Sequence, residues 1–132
     1  MRQTQFKEVV IISAELTNES GISNVDRSVN LEKCLDDCNL QFNKASGVYK
    51  GSSEKSFIVL PRNSAEINVL KEFAFKNFNQ ESILFQDKSG DTFLIYSDGK
   101  KETIGRLKKV SSKLNLDSYT VLNGEIYTTE VV

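Results

Sequence analysis

The sequence predicts an α+β domain: an antiparallel or mixed sheet with two main helices on one face, a split-βαβ arrangement with extra strands, ending in a C-terminal β-hairpin. Three observations predict it. Apolar residues recur at helical spacing in two separate stretches. Between and after them lie short β-branched or aromatic runs bounded by Gly, Asn and Asp. Near the end, Asn123-Gly124 separates two such runs, and Asn-Gly tolerates the positive φ that a type I′ hairpin turn requires.

The elements follow in order. Phe6 to Leu16 contains Val9-Val10-Ile11-Ile12 and reads as a buried strand. After a polar loop with Gly21, Ser23 is the expected helix cap, with Asp26 in a capping-box position. Leu31, Cys34, Leu35 and Cys38 then form one stripe. Leu40 to Tyr49 and Ser56 to Leu60 read as strands joined through Lys50-Gly51-Ser52-Ser53, the second stopped by Pro61. A second helix opens at Asn63 or Ser64 and carries Ile67, Leu70, Ala74 and Phe78 on one face, widened by Phe73. Strands at Ser82 to Phe85 and Thr92 to Tyr96 follow, then a turn at Asp98-Gly99 and a short strand or irregular piece through Ile104. Leu107, Val110 and Leu114 have helical spacing. Tyr119 to Leu122 and Glu125 to Thr128 form the last hairpin. With 132 residues, no repeat and no low-complexity linker, residues 1–132 read as a single domain.

Composition narrows the setting. Hydrophobic residues make up 39% and charged residues 27%, the balance of a folded globule. The net charge of -1 gives no global field to steer the chain toward nucleic acid or an acidic bilayer. Val9-Val10-Ile11-Ile12 is too short to cross a membrane, and Met1 to Lys7 lacks an apolar signal core, so a cytoplasmic protein is expected. Cys34 and Cys38, one helical turn apart, are poorly placed for a disulfide and read as reduced core cysteines.

Several chemistries are excluded. Without histidine there are no Ser-His-Asp or Cys-His triads and no histidine metal sites, and with two cysteines no metal is expected. Neither phosphate-cradling glycine loop is present, and no cofactor is expected. Asp36-Asp37 splay apart on a helix and read as a solvated face. Glu54 stands out because it opens the apolar run Ser56 to Leu60, where a carboxylate either fixes structure or serves binding or catalysis. A basic stripe of Lys100, Lys101, Arg106, Lys108, Lys109 and Lys113 holds one acid, Glu102, for a local charge of +5. It lacks aromatic residues to stack on bases, so it reads as a solvated face or a phosphate-contacting one.

Ile12-Ser13-Ala14, the helix opening with Asn24, Arg27 and Asn30 and continuing to Leu31 and Leu35, Gly47-x-Tyr49-x-Gly51 and Glu54-x-Ser56-Phe57-x-Val59 carry a resemblance. From Val9 to about Asp98 the chain resembles a family of small uncharacterised proteins of bacteriophages and some bacteria. The resemblance implies a phage-type accessory protein and directs attention to Asn24, Arg27, Asn30, Tyr49, Glu54 and Ser56, either as a cleft or as a network in which Arg27 pairs with Glu54. Together these readings favour a binding protein over an enzyme, with a host macromolecule, a defence component or nucleic-acid-processing factor, as its partner. The alternatives are nucleic-acid binding through residues 100–113, and a small-ligand or nucleotide site at Arg27, Tyr49 and Glu54.

Overall fold

The computed structural model describes residues 6–49, 52–111 and 118–130. Its strands are β1 (Val9–Ile12), β2 (Phe42–Tyr49), β3 (Ser52–Val59), β4 (Ser82–Gln86), β5 (Thr92–Tyr96), β6 (Lys101–Val110), β7 (Tyr119–Leu122) and β8 (Glu125–Glu130). Helix α1 (Gly21–Asp37) follows β1, and α2 (Ser64–Glu72) follows β3 and runs on into a π-helical turn, Phe73–Asn77. The strands close into an antiparallel barrel in the order β1-β3-β2-β7-β8-β6-β5-β4.

The expected α+β arrangement, an antiparallel or mixed split-βαβ sheet with two main helices on one face, is therefore wrong: the sheet is a closed barrel, and the error has one physical source. The segment after Asp98-Gly99 is neither irregular nor helical; it is a ten-residue strand whose two halves pair with different partners. Lys101 to Gly105 pair with β5, while Arg106 to Val110 pair with β8. A β-bulge at Thr92/Phe93, facing Gly105 with its φ of 100°, lets the strand bend from one partner to the other. This single strand joins the β4–β5 hairpin to the C-terminal hairpin and closes the sheet, leaving no free edge. The apolar spacing at Leu107 and Val110 lies on β6, while Leu114 falls outside the described residues.

Strand alternation gives each wall residue a side. Val10, Ile12, Phe57, Val59, Ile83, Phe85 and Ile95 pair across β1, β3, β4 and β5 on one face, all 9% exposed or less. Leu31 and Leu35 of α1, Leu70 of α2 and Ala74 of the π turn, each at 0% exposure, complete that core. The hydrophobic core thus sits outside the barrel, between its wall and the two helices. The opposite residues, among them Ile11, Leu84 and Leu94, face the lumen and are only half-buried.

Local signals explain the ends. Ser20, not Ser23, caps α1, with its hydroxyl accepting from Ser23 N–H; Ser23 donates its own hydroxyl to Glu19 instead. Asn63 caps α2 by accepting from Glu66 N–H. The Asn123-Gly124 turn has φ of 52° and 79°, the geometry its sequence demands. Among the described residues, no helix is long and apolar enough to cross a membrane.

Candidate functional site

Glu54 is the third residue of β3, opposite Gly47 of β2, and its side of the strand faces the lumen. All eight strands contribute to the lumen lining, which encloses about 540 Å³. Among the described residues the lining holds four carboxylates (Glu15, Glu54, Glu81 and Glu102) and no lysine or arginine. Aliphatic side chains, Ile11, Leu84, Leu94, Ile104 and Leu107, make up much of the rest. Beside it a groove of about 490 Å³ runs between the start of α1 and the outer wall, and Glu15, Gly47 and Glu54 line both spaces. Glu54 therefore stands at the rim where groove and lumen meet.

Its electrostatics follow from that place. Burial, then the neighbouring Glu15 carboxylate, push the Glu54 carboxyl up to about 7, while a hydrogen bond with Ser13 partly offsets them. Two carboxylates face a partly dry cavity with no cation of the lumen lining between them. An organic cation seated there would relieve both the repulsion and the desolvation. Glycine at 47 keeps the rim open: a Cβ there would lie 3.1 Å from the Tyr119 carbonyl oxygen and 3.6 Å from Ser56 Oγ.

Glu15 lies on a stretch with no regular structure, residues 13–16, held by side chains from three directions. Asn24 of α1 brackets Leu16, accepting from its N–H and donating to its carbonyl, both at 2.9 Å. Arg27 donates from Nε to the Ala14 carbonyl at 2.6 Å and from Nη2 to the Phe78 carbonyl, and its guanidinium lies 5.7 Å from the Phe78 ring centroid. Gln80 donates to the Glu15 carbonyl at 3.0 Å. The Glu15 carboxylate itself accepts from Lys55 N–H at 2.9 Å.

The six residues singled out by the motifs thus divide. Glu54 and buried Ser56 face the lumen. Asn24 lines the groove, and with Arg27 it anchors the segment bearing Glu15. The two carbonyl partners of Arg27, rather than Glu54, take its hydrogen bonds. Asn30 is exposed on α1. Tyr49 ends β2, with its side chain outside the described residues. Glu15 was missed, although Ile11, Ser13 and Glu15 alternate as one face of an extended chain and so place it beside β3.

The basic stripe is broken up by its strand. Arg106 lies 3.6 Å from Asp91, Lys109 3.0 Å from Glu125 and Lys100 3.9 Å from Asp98, and Lys101 Nζ sits 5.4 Å from the Phe93 ring centroid. Lys108 is exposed on the same strand, and Lys113 lies outside the described residues. Cys34 and Cys38 are free thiols, but only Cys34 packs on the core; Cys38 is exposed at the C-cap of α1. Among the described residues no group of three His, Cys, Asp or Glu is placed to hold a metal ion.

One family model, described as the S-Adenosylmethionine lyase family, matches residues 10–130, from β1 into β8. The comparison with curated proteins gives no match. The match is to a family named for an enzymatic activity. It overturns the reading of an accessory protein that binds a host macromolecule, and it gives no support to the nucleic-acid and general ligand-binding alternatives.

Proposed function

Because the chain belongs to the S-adenosylmethionine lyase family, we propose that it cleaves S-adenosylmethionine at the Glu54 rim. The observation that carries this reading is the lumen lining: among the described residues, four carboxylates, no basic side chain, and aliphatic walls around a cavity of about 540 Å³. The substrate is a sulfonium cation with an ammonium group at one end and a flat neutral nucleoside at the other. Such a cavity suits it on both counts, and its volume lies within the roughly 300–1,000 Å³ usual for small-molecule sites.

The chemistry asks little of the protein. A lyase breaks the bond without water or an oxidant. The substrate's own carboxylate oxygen attacks its γ-carbon, the carbon–sulfur bond breaks, and its electron pair returns to sulfur. The products are a five-membered lactone and neutral 5′-methylthioadenosine, with no proton gained or lost. That route fits a chain without histidine. A negative carboxylate and a positive sulfonium vanish together, so leaving water lowers the barrier to their reaction.

Glu54 and Glu15 act by holding charge. A carboxylate pressed on the sulfonium would stabilise the reactant over the transition state and oppose the reaction. Pressed on the ammonium, which keeps its charge throughout, it anchors the substrate without that penalty. We assign the pair to the ammonium. The test is incubation with S-adenosylmethionine and chromatography of the products. The expected result is 5′-methylthioadenosine with homoserine lactone, lost in Glu54→Ala. Absence of turnover by well-folded protein overturns the function; a vinyl amino acid as co-product overturns the displacement route and makes a protein carboxylate the base.

A further inference from the structure

We infer that Ser13 is the positioning residue of the rim: its hydroxyl seats Glu15 and orients Glu54, so that the two carboxylates meet the substrate's ammonium as one unit. This rests on the proposed reaction but makes a separate claim about what sets the geometry of the pair. The strand ladder stops short here. Pairing between β1 and β3 ends at Ile12 and Phe57, and beyond it the main-chain groups of Lys55 are held by side chains. Ser13 Oγ donates to the Lys55 carbonyl at 2.8 Å, and Glu15 Oε2 accepts from Lys55 N–H at 2.9 Å. Ser13 Oγ also accepts from Glu15 N–H at 3.2 Å, so one hydroxyl fixes both the segment after β1 and the strand beside it. Ser13 is only 6% exposed, so water does not readily take its place.

The same hydroxyl reaches Glu54. A serine has one proton to give and two lone pairs to receive with. While Glu54 is protonated, its own O–H donates to Ser13 Oγ and the serine proton stays on the Lys55 carbonyl, so every group is satisfied. Once Glu54 ionises it can only accept. Ser13 then turns its proton to the carboxylate and gives up the Lys55 carbonyl, because a hydrogen bond to a charged acceptor is the stronger of the two. The charged form thus carries a directed bond that fixes which way Glu54 points. Ser28 does not do the same for Glu15: its hydroxyl lies 3.5 Å from Glu15 Oε2, too far for a strong bond.

An ammonium keeps its charge from substrate to transition state, so a residue that only orients its carboxylate partners serves both states equally. Loss of Ser13 is therefore felt in KM and not in kcat. A residue needed only for folding would leave the titration of Glu54 untouched. The other titratable or charged groups facing Glu54 are Glu15 after β1, Lys55 beside it on β3, Glu81 ahead of β4, Glu102 of β6, Tyr119 of β7 and Tyr127 of β8, and a change at Ser13 leaves all of them in place.

Two measurements compare the parent with Ser13→Ala. In steady-state cleavage of S-adenosylmethionine, KM should rise about tenfold, the worth of one hydrogen bond to a charged group, with kcat within about twofold of the parent. In protein with carbon-13 in its glutamate carboxyls, the Glu54 resonance identified by its absence in Glu54→Gln, the Glu54 carboxyl should titrate about half a pH unit or more higher in Ser13→Ala. An unchanged titration, or a fall in kcat at constant KM, overturns the inference. The unaltered protein supplies a third readout that does not depend on how the variant folds. Its Lys55 carbonyl carbon should move upfield as Glu54 ionises, the direction of a lost hydrogen bond, and a flat or downfield response overturns the exchange. If neither protein cleaves S-adenosylmethionine, the proposed reaction falls, while the two resonance measurements still decide whether Ser13 directs Glu54.

Discussion

Replacing Glu54 by glutamine should make the protein more stable at alkaline pH, against the usual expectation for a substitution in a functional site. The Glu54 carboxyl is pushed from 4.5 to about 7 by burial and by Glu15. The folded state thus binds this proton more tightly than the unfolded chain does. Its stabilising contribution is complete below pH 4.5 and is lost as pH rises through 7. At about 1.4 kcal/mol per pH unit, the shift corresponds to about 3 kcal/mol, an upper bound because the side chain keeps some contact with water. Glutamine has nearly the same shape and never ionises. Parent and Glu54→Gln should therefore unfold in urea at similar midpoints at pH 4, and the variant should be ahead by up to about 3 kcal/mol at pH 8.5. Comparing the two proteins at each pH cancels the titration of groups that do not interact with Glu54. A gap that stays constant from pH 4 to pH 8.5 would refute the account of the rim.

Other substitutions probe the frame around the site. Leu70→Ala, in the core between α2 and the wall, should cost about 2–5 kcal/mol in urea unfolding, whereas Leu94→Ala on the inner face should cost well under half as much. Arg27→Ala strands the Ala14 carbonyl and leaves the Phe78 carbonyl only a 3.4 Å bond from Gln80 Nε2, and it should lower stability by about 1–3 kcal/mol, with Arg27→Lys restoring only part because it lacks the fork. Gly124→Val forces a β-branched residue to a φ of 79°, and thermal unfolding should show a loss of about 1–2 kcal/mol. Cys38 should react with a disulfide reagent well before Cys34, whose thiol is pushed up by burial and by Cys38 and Asp37 beside it.

Much of the local structure was legible because it is written locally. The caps of α2, the Asn123-Gly124 turn and the strand runs at Val9, Phe57 and Leu94 each follow from a few adjacent residues. Barrel closure was not, because it depends on β6 changing partners at a bulge, and no short window of sequence encodes two partners at once. The spacing of Leu107 and Val110 even imitated a helix. At the site, Glu54 was visible as a carboxylate at the head of an apolar strand. Its neighbour Glu15 was not, since they meet only when residues 13–16 run alongside β3, where the Glu15 carboxylate accepts from Lys55 N–H across 40 positions of chain. The pairing first considered, Arg27 with Glu54, failed because Arg27 serves two main-chain carbonyls on the helix side of the wall.

Placing the oily core behind the wall instead of within it has an evolutionary consequence. Ile95 locks the outer packing while its neighbour Leu94 borders open space, so adjacent codons are under different selection. Drift can reshape the chamber and retune which guest it admits, one inward position at a time, while every outward position keeps the shell standing.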